Sequence, residues 1–238
     1  MMNSEHKPNV EGQQAYCQCT VSCSCGHSGK KYQIIYADPA WEYDTKECLA
    51  KNSILNGELN KHYKTLTLED LKALPVESIA DKNCLLFIWV VSPMLVEGIE
   101  VLKAWGFKYA TIAFVWHKQK TNPGHYTMSE CEICLVGKRG SIPQPRGERN
   151  IRQFLSLGRG KHSEKPPEIR KRIEAMFPTQ NKVELFARSR GGFWSMDEYD
   201  GWDVWGNEVE NSIHLSVGDF SKTFPHESSN EAIHPHCL

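Results

Sequence analysis

The sequence lacks several features that mark common classes of protein. No apolar stretch reaches the roughly 20 residues that a membrane-spanning helix needs, so we expect no membrane partner. The polar N-terminus has no apolar centre of a secretion signal. Lys+Arg total 28 and Asp+Glu total 29, so no excess of positive charge indicates a nucleic-acid partner. The spaced glycines of the G-x-G-x-x-G nucleotide fingerprint are also missing.

The cysteines do not form the pattern of a disulfide framework. The chain has nine, an odd number, and several lie in apolar segments, which favours reduced thiols in an intracellular, cytoplasmic protein. The pair Cys131 and Cys134 lies in such a segment, and we expect both to be core residues. An N-terminal cluster has C-x-C-x3-C-x-C spacing, unlike the paired C-x2-C knuckles of common zinc folds. Zinc binding and a mobile, reduced arm both stay open for it, and no metal ligand is assigned; the cluster comprises Cys17, Cys19, Cys23 and Cys25, followed by His27.

The segment YQIIYADPAWEY, from Tyr32 to Tyr43, is central to the sequence. Its short apolar run of β-formers is typical of a buried parallel strand. Pro39 has no N–H to donate to a sheet, so the strand must end there. Asp38, Pro39 and Trp41 are thereby expected at the carboxyl end of a strand, the edge at which open α/β sheets bind ligands.

This group of residues suits methyl transfer to an exocyclic amine. The amine of adenine is a weak nucleophile because its lone pair is delocalised into the ring. The Asp38 carboxylate and the Pro39 carbonyl could accept its two N–H bonds and polarise it. Trp41 could stack on the base, which is worth roughly 1–3 kcal/mol. The alternative, with Asp38 capping a turn and Trp41 in the core, stays open on these residues alone.

The remainder of the chain alternates between strand and helix patterns. This alternation predicts one α/β domain with a mostly parallel sheet and helices on both faces. We expect a polar arm at 1–30, the domain at 31–210 and a polar tail at 211–238. The predicted strands are Cys84–Val91, Tyr109–His117, Cys131–Val136 and Val183–Ala187, and the predicted helices run from Thr67 to Leu74, Met94 to Trp105 and Glu168 to Met176.

Several motifs together resemble those of the MT-A70 family. Asp-Pro-Ala-Trp at 38–41 is similar to the family's DPPW motif, with Ala40 in place of the second proline. It is followed in the expected order by LTLEDLKALPV, CLLFIWVV, SECEICLVGKRG, HSEKPPEI, VELFAR and GWDVWGNEV. The resemblance covers about Tyr32 to Val209. It implies a Rossmann-like class I methyltransferase fold, circularly permuted, that transfers methyl from S-adenosylmethionine to the N6 amine of adenine.

The resemblance also implies roles for individual residues. Asp38, Pro39 and Trp41 would be catalytic. Cofactor contacts are expected from Asp38, Lys165, Arg188, Ser189, Asn207 and Glu208, with Lys165 near the cofactor carboxylate. Substrate contacts are expected from Tyr43, Tyr63, Trp116 and Lys118. Structural alternatives stay open for Tyr63, as an anchor of the next helix, and for Trp116, as a core residue.

The expected partner is nucleic acid. The compact chain resembles the bacterial and phage DNA branch of the family, so a prokaryotic or phage-infected cell is expected. Basic residues are frequent from Lys138 to Arg172, where they could contact phosphates or form a solvated surface. RNA as substrate and a non-catalytic partner role remain alternatives. The recognition sequence, the strandedness of the substrate and dimerisation, with a second copy or another family member, stay open.

Overall fold

The computed structural model describes residues 29–42, 66–122, 126–160, 164–188 and 199–215. The N-terminal cysteine cluster, Tyr43, Tyr63 and Ser189 lie outside the described residues. Seven strands and three α-helices are described, with short 3-10 turns at 76–78 and 92–94. The strands are β1 (Tyr32–Ala37), β2 (Ala80–Val90), β3 (Lys108–Asn122), β4 (Ser129–Arg139), β5 (Phe154–Ser156), β6 (Lys182–Leu185) and β7 (Trp202–Trp205). The helices are α1 (Leu68–Ala73), α2 (Leu95–Ala104) and α3 (Pro167–Met176).

The strands form one mixed sheet in the order β5-β3-β4-β2-β1-β6-β7. β4 runs antiparallel to both of its neighbours, and the other neighbouring pairs are parallel. The prediction of a mostly parallel sheet is confirmed. Because β4 is reversed, its amino end lies at the same edge of the sheet as the carboxyl ends of β1, β2 and β3.

The described helices cover both faces of the sheet, as predicted. Leu71 of α1 and Val101 and Leu102 of α2 pack on one face, against Leu86 and Ile88 among others. On the opposite face, α3 contributes Ile169 and Ile173 to a second core with the aromatic side chains of β2 and β3. The sheet is therefore buried on both sides, which explains the continuous apolar run of β2.

Local sequence signals account for the helix ends. The Thr67 hydroxyl accepts a hydrogen bond from the Asp70 backbone N–H at 3.2 Å and caps α1. After α2 the chain reverses at Gly106, whose φ of 83° is readily adopted only by glycine. Two prolines precede and open α3, where their missing N–H groups cost no helical hydrogen bond. These boundaries lie within two residues of the predicted ones.

Two strands, one domain boundary and several strand ends differ from the prediction; β2, β3 and β4 are each longer than predicted, by up to five residues at one end. β5 and β7 were not predicted, because runs of three and four residues are too short for a period-two pattern. Residues 211–215 were placed in the tail, yet they pack beside β7. The Ser212 N–H donates to the Val204 carbonyl at 2.9 Å, and Leu215 is buried. Of the helices described, none is long and apolar enough to cross a bilayer.

Candidate active site

The face of the sheet that α3 covers changes from apolar to charged at one edge. Side chains on a strand alternate between the two faces, so every second residue forms a row. In three rows the inner residues are apolar or aromatic, and the last residue at the carboxyl edge of the sheet carries a charge. These rows are Ile34, Tyr36 and Asp38 on and after β1, Phe114, Trp116 and Lys118 on β3, and Cys134 and Glu132 on β4.

The charged ends of these rows are joined through Lys165, which lies just before α3. The Lys165 Nζ lies 2.7 Å from Asp38 Oδ1 and 3.3 Å from Glu132 Oε2. The other carboxylate oxygen of Glu132 lies 3.3 Å from the Lys118 Nζ. All four side chains are between 5% and 17% exposed. We call this set the charge chain; its two acids and two bases balance.

The charge chain keeps Lys165 protonated. Burial alone lowers the pKa of the lysine, because it disfavours the charged form. The charges and hydrogen bonds of Asp38 and Glu132 outweigh burial and raise the pKa above its ordinary value. The site therefore presents an ammonium group directly against the Asp38 carboxylate.

Aromatic side chains hold the charge chain in place. The Lys165 Nζ lies 5.7 Å from the ring centroid of Trp89. The Trp89 indole donates to the Tyr36 hydroxyl at 2.6 Å and meets Trp116 edge to face. Burial, followed by the charge of Glu184, raises the pKa of Tyr36 well above its ordinary value, so this hydroxyl stays neutral. The charged groups thus rest on a rigid aromatic layer.

Burial bears on three predicted site residues: Trp41, which was predicted to be catalytic, and Trp116 and Lys118, which were predicted to contact substrate. Trp41 is 7% exposed, and its indole N–H donates to the Trp89 carbonyl at 2.9 Å. Trp116 is 1% exposed, and its indole donates to the Leu157 carbonyl at 2.7 Å. Lys118 is 5% exposed and is bound to Glu132. The core alternative is therefore favoured for both tryptophans, and Lys118 belongs to the charge chain.

The backbone of the Asp-Pro-Ala-Trp motif is tied at several points. The Asp38 N–H donates to the Leu185 carbonyl at 3.4 Å, which continues the β1–β6 pairing. The Pro39 carbonyl accepts the Trp41 N–H at 3.0 Å, and the Ala40 carbonyl accepts from Leu66 at 3.1 Å. A carbonyl oxygen has two lone pairs, so Pro39 keeps acceptor capacity for a further donor.

The ends of β6 and β7 form a second part of the carboxyl edge. A side chain on Gly206 would place its Cβ 2.1 Å from the Ala187 carbonyl oxygen, so only glycine allows this close approach. Arg188 is half-buried, and its backbone N–H and carbonyl both bond the Tyr199 hydroxyl, at 3.2 and 2.7 Å. Asn207 and Glu208 follow β7 and are exposed. The structure thus brings these three predicted cofactor residues to the same edge as Asp38.

Glu132 was not among the predicted site residues. It lies two residues before Cys134, within a strand that reads as core. The signal that could have identified it is the alternation on β4, since residues 132 and 134 must face the same side. That signal points to the site only once β4 is known to run antiparallel, because its amino end then meets the carboxyl ends of β1 and β3.

Some side chains of the basic segment from Lys138 to Arg172 contact other residues of the protein. The inward-facing members lie against acids, rings or backbone carbonyls: Arg139 on Glu77, Arg146 over Phe177, Arg170 on Glu184, and Arg172 on the carbonyls of Arg152 and Phe154. The members with exposed side chains are Lys138, Arg149, Arg152, Arg159 and Lys171. Among the described residues of the segment, this second group is the one that is free of the core and able to meet a phosphate backbone.

Comparisons with known proteins show which family and which proteins the chain is similar to. The family model described as MT-A70 matches residues 32–208. The chain is 43% identical over 198 residues to the type II methyltransferase M.MunI of a Mycoplasma species, covering 78% of this chain and 82% of that protein. It is 26% identical over 207 residues to the human N(6)-adenosine-methyltransferase catalytic subunit METTL3, and 26% identical over 193 residues to an Arabidopsis thaliana MT-A70-like N(6)-adenosine-methyltransferase. The alignments cover 82% and 77% of this chain but only 32% and 24% of those two proteins.

Proposed function

The chain belongs to the MT-A70 family and is a methyltransferase, and from this premise we propose that it methylates the N6 amine of adenine in DNA, with S-adenosylmethionine as donor. The observation that carries the proposal is the Asp38 carboxylate. It stands at the carboxyl end of β1, 17% exposed, with Lys165 fixed beside it at 2.7 Å. An ionised, oriented acceptor at this edge is what an amine nucleophile requires.

Asp38 and Pro39 would orient the amine. An ionised carboxylate offers about four lone-pair sites, so Asp38 can hold Lys165 and still accept an amine N–H. The second lone pair of the Pro39 carbonyl can accept the other N–H. Both acceptors are fixed by the backbone bonds of the motif, so most of the rate would come from positioning in a site that excludes water. Asp38 can also take the proton that the methylated amine releases.

In this proposal Trp41 supports the site from the protein core. Its ring packs in the core, and its N–H fixes the backbone of β2 at Trp89. Trp89 in turn supports Lys165. Trp41 thereby links the catalytic motif to the aromatic layer instead of stacking on the base.

The residues at the edge have the chemistry to hold S-adenosylmethionine, which supplies the methyl group from its sulfonium centre when bound. The Lys165 ammonium suits the carboxylate of the donor. The exposed Asn207 and Glu208 side chains suit ribose hydroxyls, as an amide and a carboxylate both accept hydrogen bonds. Arg188, fixed by Tyr199, lies between these two groups in the order of strands, and Ser189 is proposed with it. Gly206 lets the chain after β7 approach the Ala187 backbone after β6 closely.

DNA is favoured over RNA by the pattern of relatives. The chain aligns with most of the bacterial type II methyltransferase but with a quarter to a third of the plant and animal N(6)-adenosine-methyltransferases. Adenosine is the ribonucleoside. The relatives whose names point to RNA are therefore the ones that are less similar to this chain. In a duplex the target adenine would have to leave its stack to reach Asp38, as in other enzymes that modify bases.

Phosphate contacts are proposed for the exposed members of the basic segment. Arg149 and Arg152 precede β5, and Arg159 follows it. β5 is the edge strand beyond β3, four positions from β1 in the sheet. At about 4.8 Å per strand, that is roughly 19 Å, or about five to six base pairs of B-form DNA. Arg159, which follows β5 at the carboxyl edge, would therefore contact DNA that flanks the target adenine, whereas Arg149 and Arg152 lie toward the opposite edge.

Transfer of a labelled methyl group tests the function. Duplex DNA, single-stranded DNA and RNA are incubated in parallel with labelled S-adenosylmethionine, and the products are digested to nucleosides. We expect N6-methyldeoxyadenosine with the wild type and none with Asp38→Ala. Label confined to RNA would replace DNA by RNA as the substrate. Full activity of Asp38→Ala would remove Asp38 from the mechanism.

A non-catalytic partner role is the second candidate. The observation in its favour is Ala40, which replaces a proline of the family motif and frees a backbone N–H beside the site. The charge chain argues against it, because a partner that performs no chemistry has no need of a buried carboxylate with a fixed ammonium. Cofactor binding without transfer to any nucleic acid, reversed by adding an active family member, would establish this role.

A further inference from the structure

Lys118 is the end member of the charge chain, linked to Asp38 through Glu132 and Lys165. It continues the buried row of β3 after Phe114 and Trp116, and only 5% of it is exposed. Its ammonium lies 3.3 Å from one oxygen of Glu132, whose other oxygen lies 3.3 Å from Lys165. Lys118 thus reaches the catalytic carboxylate only through two other side chains.

The balance of charge along the chain depends on Lys118. A buried charge that loses its partner is strongly unfavourable, so each acid here needs a base. Lys165 is shared by two acids and lies closer to Asp38, at 2.7 Å, than to Glu132, at 3.3 Å. Lys118 gives Glu132 a positively charged partner, so Glu132 does not compete with Asp38 for Lys165.

We propose that Lys118 is a positioning residue for methyl transfer: by neutralising Glu132, it leaves Lys165 on Asp38 in the geometry that the reaction uses. This inference rests on the proposed function. Lys118 touches neither substrate nor cofactor in this role. Without it, Glu132 would pull Lys165 away from Asp38, and the carboxylate would lose the ammonium that fixes its orientation.

The simpler alternative is an ion pair that only supports the β3–β4 hairpin. Such a pair would affect stability, and the activity of the folded fraction would be unchanged. A positioning role instead predicts a charge-dependent coupling between residues 118 and 132 in kcat. It also predicts a displacement of Lys165 that can be seen without any turnover.

The test compares Lys118→Met, Lys118→Arg, Glu132→Gln and the double variant Lys118→Met/Glu132→Gln. Lys108→Met is the matched control, because Lys108 is exposed at the opposite end of the same strand. We expect Lys118→Met to lower kcat per folded molecule by roughly 10–100-fold, the scale of a small misplacement at a reacting centre. Lys118→Arg should restore most of the loss. The double variant should be faster than Lys118→Met, since removing both charges restores the balance.

A crystal structure of Lys118→Met supplies the readout that needs no turnover. We expect the Lys165 Nζ to move from Asp38 toward Glu132, beyond hydrogen-bond distance of Asp38. A Lys165 that stays on Asp38, or a kcat equal to that of Lys108→Met, would overturn the proposal, as would a double variant no faster than Lys118→Met. If the wild type transfers no methyl group, the proposed function fails separately, and the position of Lys165 still decides whether Lys118 positions it.

Discussion

Two buried sets of ion pairs connect the α3 region to the sheet, and they use different cations. Lys165, before α3, is shared between Asp38 and Glu132 at the carboxyl edge. Arg170, within α3, binds Glu184 on β6 with Nε at 2.8 Å and Nη2 at 2.6 Å from the same carboxylate oxygen. Both sets are shielded from water, so the cation and its surroundings distinguish them.

The Arg170–Glu184 pair has the features of a permanent contact. A guanidinium is planar, permanently charged and able to donate several bonds at once. Arg170 also lies 4.6 Å from the ring centroid of Tyr199. Its pKa is raised because Glu184 outweighs the effect of burial. A lysine ammonium is a point charge with three donors, so Lys165 can hold Asp38 and Glu132 and still offer one N–H to the donor. The comparison teaches that the cation with a donor to spare lies where chemistry is proposed.

Removal of the Asp38 charge should give the largest effect on activity. Asp38→Asn keeps the side-chain volume but removes the strong acceptor, so we expect kcat to fall by at least about 10²–10³-fold. Lys165 keeps Glu132 as a partner, so the fold should persist and the dissociation constant of the cofactor should change by less than about tenfold. Steady-state methyl transfer and calorimetry of cofactor binding measure the two quantities.

Asp81→Asn is the matched control for Asp38→Asn. Asp81 is also half-buried, but it lies at the start of β2, at the opposite edge of the sheet, where it accepts from Gln33 at 3.2 Å. We expect its kcat to equal that of the wild type. Equal losses in the two variants would mean that Asp38 acts through the fold, and the distinction between the two ion-pair sets would disappear.

Removal of the Glu184 charge should act on stability. Glu184→Gln removes the carboxylate charge from a buried ion pair, and breaking such a pair typically costs about 3–5 kcal/mol. For a chain of this size the melting temperature should fall by about 10 °C. The double variant Glu184→Leu/Arg170→Met should recover most of this loss, because a well-packed apolar pair replaces the ions. Calorimetry measures the transition, and kcat of the folded fraction should be close to the wild-type value.

The sequence predicts the parts of the fold that local signals specify. The apolar run of β2, the Thr67 cap and the Gly106 stop were all readable, because each depends on residues a few positions apart. The order of strands and the reversal of β4 depend on contacts between distant segments. Glu132 could not be assigned for that reason, and neither could the contact of Lys165 with Asp38. Trp41 shows a further limit: the same side chain suits a base or a core, and only packing decides.

The exposed arginines extend the comparison to cations without a buried partner. Arg159→Gln should weaken DNA binding by a few-fold and reduce the slope of log K against log salt by about one, as expected for one phosphate contact. Arg146→Gln is the matched control, because Arg146 packs over the Phe177 ring at 5.6 Å. Fluorescence titrations at several salt concentrations measure the slope. Identical slopes for Arg159→Gln and wild type would exclude this contact.

The smallest effect is expected at the surface, where Lys72 bridges Glu69 at 3.2 Å and Glu100 at 2.8 Å. The hydrogen bond from Lys72 lowers the pKa of Glu100, and the bond to Glu100 raises the pKa of Lys72. The stability that Glu100 contributes through its lowered pKa is present above pH 4.5, the ordinary pKa of the group. It is lost as the pH falls through the pKa of Glu100 in the folded protein. The stability that Lys72 contributes through its raised pKa is present below pH 10.5, the ordinary pKa of the group. It is lost as the pH rises through the pKa of Lys72 in the folded protein.

Water and salt screen this exposed cluster, so Lys72→Met should change the melting temperature by less than about 2 °C near neutral pH. The change should vanish at roughly 0.5 M salt, whereas the loss in Glu184→Gln should persist there because burial protects that pair from screening. Melting curves of both variants at low and high salt make the comparison. A drop in Lys72→Met as large as that in Glu184→Gln would show that burial is not what separates the strong ion pairs of this protein from the weak ones.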